Sequence, residues 1–378
     1  MDLISHLRAV PCAAPPARAL WLLAMLATLA ACTTLPIFTP SPGTPATPGS
    51  QQWPAPAAAT PALQRLIDEA AALQPLAEST IARNFLAATR ALPAIRPRTV
   101  FMNESTREYY SAEGKNALPQ AVRAKLVDVS LDEERYYYTK YGSPLAYFRV
   151  LDIAAANGLN DVAGAKILDF GYGSVGHLRL LASLGAHTTG IDPDSYLEAL
   201  YSAPFDQGPV PPASGTRRGH PGTITLAHGL WPKDARIVAQ VGQGYDLILS
   251  KNTLKKGYIH PEKKIDKRQQ IVLGVTDDTF LIAMFDALKP GGKLIIYNLA
   301  PKEAGPKEKY NPQADARSPW TREQYEKNGF VVTAYNNPDH AMARNIGRAL
   351  RWDREASGNL NDLETNLFAL VTIVMRPA

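Results

Sequence analysis

Residues 165–194 read AKILDFGYGSVGHLRLLASLGAHTTGIDPD, and the rest of the chain arranges itself around them. A short apolar run, Ile167-Leu168, ends in Asp169, and a glycine-rich turn follows: Gly171, Tyr172, Gly173, Ser174, Val175, Gly176. Leu178, Leu180, Leu181 and Leu184 then recur at helical spacing, the stripe of a helix packed on a sheet. A second short strand, His187 to Ile191, ends in another acid, Asp192. Strand, tight turn, helix, strand and acid make half of a nucleotide-binding crevice.

The chemistry asks for these residue types. Glycines let the backbone turn sharply and come close to a ligand, and the helix N-terminus offers N–H groups to a negative group. A carboxylate closing the second strand can accept hydrogen bonds from both hydroxyls of a ribose, and Asp192 stands 21 residues after Gly171, as such a βαβ unit requires. G-x-G-x-x-G alone also fits a dinucleotide. Asp169 argues against that, because a carboxylate two residues before the first glycine would repel a pyrophosphate. It suits a ligand with an ammonium group, such as S-adenosylmethionine.

Length and composition set the bounds. The chain has 378 residues, a net charge of +5 and 46% hydrophobic residues, enough for about two domains or one large one with additions. So mild a basic balance does not by itself imply nucleic acid. Both cysteines, Cys12 and Cys32, fall near the N-terminus, which leaves the remainder without thiol or disulfide. Arg8 and Arg18 precede an apolar run, residues 19–27, too short for an ordinary membrane span. Its shape is that of a secretory signal, and it ends Leu29-Ala30-Ala31-Cys32, which resembles the lipobox of bacterial lipoproteins. That resemblance implies a signal peptide over 1–31, a lipidated Cys32 as membrane attachment, and a protein facing the periplasm. A start further along the chain would instead leave it cytoplasmic. Residues 32–61 are rich in Pro, Ala, Thr, Ser and Gly, a semi-rigid tether with nothing to bury.

From 62 to 150 the reading is a helical extension. Leu63, Leu66, Ile67, Ala70 and Leu73, then Ile81, Phe85 and Leu86, are amphipathic, and 105–110 and 118–128 also read as helical. A run holding Tyr136, Tyr137, Tyr138, Tyr141 and Tyr147 either covers a sheet edge or forms a lid, with Tyr141 placed to reach a cofactor. The main domain, 151–378, continues past Asp192 with a Pro/Gly-rich insertion carrying Arg217 and Arg218, read as a surface loop. A third strand, Thr223 to Ala227, leads into His228-Gly229 and Trp231, near where an adenine would sit. Trp231 either stacks on the base or fills the core. His228 has no partner at metal-ligand spacing, so no metal is expected.

The fourth strand, Tyr245 to Ser250, emerges into a loop with Lys251, Lys255, Lys256, His260, Lys263, Lys264, Lys267 and Arg268. The loop is either a solvated tip or an attractor of an anionic small-molecule acceptor. Lys251 and Asn252, nearest the strand end, would face the transferred group. Then come a helix over 277–288, Lys289-Pro290-Gly291-Gly292-Lys293 before a fifth strand, a helix opening at Ser318-Pro319, and strands over 330–335 and 367–375 that pair antiparallel.

With these parts in place, residues 136–376 resemble the class I S-adenosylmethionine-dependent methyltransferases. ILDFGYGSVG, GIDPD, YDLILS and ALKPGGKLIIYNL carry the resemblance, in order, with the late strands. It implies an α/β, Rossmann-like, seven-stranded doubly wound sheet binding S-adenosylmethionine at the first strand–helix turn. Asp169, Gly171, Tyr172, Gly173 and Gly176 would surround the methionyl part and Asp192 would hold the ribose. His228, Gly229, Trp231 and Ser250 would complete the pocket. The chain departs from the family at Val175, where the third glycine usually stands, and at His228-Gly229, where an acid is common. Ser250-Lys251-Asn252-Thr253 replaces the signature of amino-group methylation, so the acceptor class is open. The rival reading is an inactive nucleoside-binding or cell-envelope protein on the same fold.

Overall fold

A computed structural model describes residues 60–140, 142–213, 221–303, 305, 309–354 and 362–378. The signal-like segment, Cys32, nearly all of the tether, Tyr141 and the Arg217-Arg218 tip lie outside the described residues. Among the described residues no helix is long and apolar enough to cross a membrane.

Eleven strands are described: β1 (Arg98–Asn103), β2 (Tyr109–Tyr110), β3 (Leu126–Leu131), β4 (Lys166–Phe170), β5 (His187–Asp192), β6 (Gly208–Val210), β7 (Gly222–His228), β8 (Tyr245–Lys251), β9 (Leu288–Ala300), β10 (Val331–Pro338) and β11 (Phe368–Met375). The main sheet runs β10-β11-β9-β8-β4-β5-β7-β6. From β7 to β9 every pairing is parallel, and β11 lies antiparallel between β9 and β10. This is the doubly wound α/β sheet expected, with an eighth strand added. β6 pairs antiparallel with β7 inside the insertion read as a loop, and Pro209 is tolerated because β6 is an edge.

Period-two alternation feeds two cores. Ile167, Leu247, Leu249, Ile295 and Tyr297 face the helices Pro61–Leu73, Thr80–Ala87, Arg149–Ala156 and Val175–Ser183. Leu168, Phe170, Ile248, Leu294 and Ile296 face the other layer, where Phe280, Trp320 and Tyr325 pack. The N-terminal helices therefore share a core with the sheet. Buried Asp152 pins them, its Oδ1 accepting the N–H groups of Glu78 at 3.1 Å and Ser79 at 2.7 Å.

The extension over 62–150 is not wholly helical. β1 pairs antiparallel with β2 and β3 in a separate three-stranded sheet, so the stretches read as helical at 105–110 and 118–128 are a turn leading to β2, and a short helix leading to β3. Arg98 on β1 ties that sheet to the insertion, donating to both carboxylate oxygens of Asp206 at 2.7 and 2.8 Å. Late in the chain the helix opens at Thr321, which caps Arg322–Lys327 with Gln324 answering in a capping box. Ser318 is instead buried, its Oγ 2.8 Å from Tyr325 Oη.

Candidate functional site

The sheet order reverses between β4 and β8, and the loops after β4, β5, β7 and β8 gather at that rim. In the turn after β4, Gly171 and Gly173 take φ of +73° and +64°, a region only glycine enters at low cost. The helix Val175–Ser183 follows, and its first N–H is already taken. Val175 N–H donates to Tyr201 Oη at 3.2 Å, and that hydroxyl donates in turn to the Tyr136 carbonyl at 2.8 Å. Ser174 Oγ donates to the Tyr137 carbonyl at 2.9 Å, and a Cβ on Gly176 would lie 2.5 Å from the same oxygen. Here the sequence expectation is narrowed: the Val175 N–H and the missing side chain of Gly176 both serve packing.

The two acids end in different surroundings. Asp192, at the end of β5, is half-buried, and its Oδ1 accepts the Asp194 N–H at 3.0 Å. Burial and the neighbouring Asp194 charge push its carboxyl up to about 7, against the N–H groups of Asp194 and Gly173 and the Lys140 ammonium. Beside it, His228 closes β7 in register with Asp192, its Nε2 2.9 Å from the hydroxyl of buried Tyr172. Burial holds the His228 imidazole down to about 4, so it is neutral around neutral pH.

Asp169 is fully buried, and the ammonium of Lys251 sits on its Oδ2. Burial raises the carboxyl and the Lys251 charge opposes that rise. His177 Nδ1 stands 3.7 Å from the same oxygen. Desolvation, then the Lys251 charge, keep that imidazole well below its usual range. Lys251, expected to face a transferred group, is paired with Asp169. Asn252 is likewise engaged: at φ +60° its amide donates to Tyr147 Oη at 2.7 Å and accepts the Leu299 N–H at 2.6 Å.

Three further residues expected at the pocket make contacts within the fold. Ser250 is fully buried and takes the Leu254 N–H at 2.9 Å. Trp231 is a core tryptophan, edge-on to Phe170 and Phe280 with centroids at 6.4 and 5.7 Å. Gly229 abuts the helix Ala235–Val241, where a Cβ would meet Ile237 Cγ1 at 2.7 Å. The basic loop is also split, because Lys255 is buried and donates to the carbonyls of Leu299 at 2.5 Å and Gln313 at 3.1 Å. Of the tyrosine run, Tyr136 and Tyr137 are fully buried, which favours the covering role. The residues the sequence did not single out are Thr253, Tyr201 and His177. His177 lies inside the quoted motif, but nothing in its spacing signals an acid partner.

No family model and no curated protein matches the chain. Among solved structures, a phosphoethanolamine N-methyltransferase 2 of Haemonchus contortus is 16% identical over 62% of this chain, with a TM-score of 0.37; the chain spans 54% of that protein. That structure holds phosphomonomethylethanolamine and S-adenosylhomocysteine. The magnesium protoporphyrin IX methyltransferase of Synechocystis, with S-adenosylmethionine bound, is 18% identical over 60% of this chain and 76% of its own, with a TM-score of 0.29.

Proposed function

We propose that the chain binds S-adenosylmethionine at the rim of β4, β5 and β7 and transfers its methyl group to a small acceptor. The observation that carries this is Asp192, a half-buried carboxylate closing the second strand of the unit, within reach of the Gly173 N–H and next to the neutral His228–Tyr172 pair. A ribose diol offers two donors to such an acceptor, and the residues at this end fit it. The cofactor supplies an electrophilic methyl on a sulfonium whose departure needs little help. The protein's share is then orientation. Asp192 fixes the sugar, and the Tyr172–His228 contact holds the wall beside it. With Asn252 engaged by Tyr147 and Leu299, this stretch of the loop holds position. The exposed lysines of the loop, Lys263, Lys264 and Lys267, favour an anionic acceptor.

Titration calorimetry of the full chain tests the binding. Saturable uptake of S-adenosylmethionine should weaken roughly 10–100-fold in Asp192→Asn, the worth of hydrogen bonds to a charged group. No heat at millimolar ligand would sink the proposal. The chain is further proposed to be an exported lipoprotein held at a membrane by lipid on Cys32, on the strength of the Leu29-Ala30-Ala31-Cys32 resemblance. Acyl labelling that disappears in Cys32→Ala supports this, and an unlabelled wild type refutes it.

A further inference from the structure

The loops that leave β7 and β8 meet at the rim, and together they expose apolar groups that the fold does not use. After the short turn Lys267–Gln269 the β8 loop runs on through Ile271, Val272 and Leu273. The Ile271 N–H donates to the Tyr258 carbonyl at 3.0 Å, which fixes where that run begins. Leu273 turns inward to the core that holds Trp231. At Gly274 the run reaches the loop after β7: a Cβ there would lie 2.9 Å from Lys233 Cδ and 3.6 Å from Leu230 Cδ1. Each inward side chain has an outward neighbour. Val272, next to Leu273, is 64% exposed, and Leu230, next to Trp231, is 36% exposed.

Cations share this stretch. Lys233, Lys263, Lys264, Lys267 and Arg268 are all exposed. The acids of the β8 loop are already engaged. Asp266 accepts Arg268 Nε at 3.0 and 2.8 Å, Glu262 is shared by Lys256 and Arg317, and Asp277 lies 3.0 Å from His260 Nε2. No ion pair joins Lys263, Lys264 or Lys267 to an acid among the described residues. Their charge therefore faces outward, beside two uncovered aliphatic side chains.

We propose that this face, Val272 and Leu230 with Lys263, Lys264 and Lys267, docks on an anionic lipid bilayer. Flexible lysines attract acidic headgroups without a fixed geometry, each strengthening attachment roughly fivefold near such a surface. Two exposed aliphatic side chains suit shallow entry into the headgroup boundary. A protein partner fits less well, because protein interfaces draw on aromatic side chains and are depleted in lysine. The lipoprotein proposal brings a membrane within reach, and the Pro/Ala-rich tether over 32–61 leaves the orientation of the domain open. Docking through this face turns the C-terminal ends of β7 and β8 toward the lipid. It goes beyond the methyl-transfer reading, and needs neither that cofactor nor an acyl chain on Cys32.

A probe at position 272 reads the docking directly. In the full chain with Cys12→Ser and Cys32→Ala, Val272→Cys supplies the single thiol for an environment-sensitive nitrobenzoxadiazole label, at a site exposed enough to leave the fold alone. On vesicles of about one-quarter phosphatidylglycerol in phosphatidylcholine, its emission should shift to the blue and be quenched by brominated acyl chains. Added salt should reverse both. The same label at Ile282→Cys, half-exposed on the helix Asp277–Ala287, should not respond. Lys263→Glu with Lys264→Glu and Lys267→Glu should raise the lipid needed for half the shift by at least about tenfold. An unchanged spectrum at 272 overturns the proposal even where the chain sediments with the vesicles, since the apolar run over 19–27 would hold it there unaided. So does an equal shift on pure phosphatidylcholine, an equal response at 282, or a triple variant that docks like its parent. Glycerophosphoglycerol, the same headgroup without acyl chains, separates a bilayer from a soluble anion: lysine-dependent binding of it with a silent label on vesicles assigns the loop to free anions and overturns the docking. No readout involves S-adenosylmethionine, so calorimetry with that ligand judges the methyl-transfer reading separately.

Discussion

Asp169 and Asp192 close neighbouring parallel strands at one rim, yet they have opposite fates. Asp169 pairs in register with Gly190, which sets Asp192 two residues, about 6–7 Å, nearer the edge of the sheet. At the deeper level burial would be ruinous for an ion without a partner, and Lys251 supplies one. At the shallower level the carboxylate keeps a face to solvent, has Asp194 as a like-charged neighbour, and is pushed up to about 7. Depth along the strand therefore decides which acid belongs to the fold and which remains available to a ligand.

The largest expected effect attacks the deep pair. Lys251→Ala leaves a buried carboxylate uncompensated and should destabilise the fold by roughly 3–5 kcal/mol in urea unfolding, whereas Lys251→Met with Asp169→Asn removes both charges and should recover most of that loss. Asp192→Asn should leave the urea midpoint near the wild-type value or raise it. A Lys251→Ala protein no less stable than Asp192→Asn would erase the contrast between the two acids.

The glycine turn sharpens the same contrast one step down. Gly171→Ala meets both a left-handed backbone and the Thr253 side chain, and should cost roughly 2–5 kcal/mol. Gly173→Ala has the same backbone problem but only an ordinary contact with Thr139, so about 1–2 kcal/mol is expected. Equal losses would mean that Thr253 yields freely and the β8 side of the turn is not closed.

Much of this architecture was legible, and the illegible parts share a physical cause. The β4–turn–helix–β5 unit, β7, β8, β9 and β11 each announce themselves through a local apolar run or a glycine that needs a positive φ. β1 does not: Arg98, Thr99 and Asn103 make it half polar, and the longer of its two partners, β3, comes only after two intervening short helices. β6 hides in a Pro-rich stretch because an edge strand can spare the N–H that Pro209 lacks. The site divides the same way. That Asp192 closes β5 was readable from its distance to Gly171. The Asp169–Lys251 pair was not, since it depends on the β4–β8 register, which no local pattern records. The lysine-rich run read as a single loop, solvated or attracting an anionic acceptor, yet Lys251 and Lys255 turn inward to partners 82 and 44 residues away in sequence.

Binding should follow pH through the shallow acid. Because the Asp192 carboxyl is held up at about 7 in the folded chain, a ribose that donates to the ionised form should bind more tightly as pH rises from 6 to 8. Asp192→Asn should flatten that dependence. For stability the sign is opposite: a carboxyl raised on folding contributes most below its unfolded value, and the contribution is lost as pH rises through about 7. A nucleoside affinity that does not change over this range would mean that another group holds the sugar.

The smallest effect is expected in the outer half of the basic loop. Lys256 and Arg317 both reach Glu262 on the surface, at 3.0 and 2.8 Å, and hold its carboxyl below the usual range, but exposed pairs of this kind stabilise little. Lys263, Lys264 and Lys267 are exposed. Replacing those three by Ala should leave the urea midpoint unchanged while lowering the rate at which an anionic acceptor arrives, and added salt should remove the difference. Lys255→Met separates the two halves of the loop. Its ammonium is buried and brought down to about 7 by desolvation, so the change should act on stability and leave the salt dependence alone. If the triple variant shows the same salt dependence as the wild type, the outer lysines steer nothing.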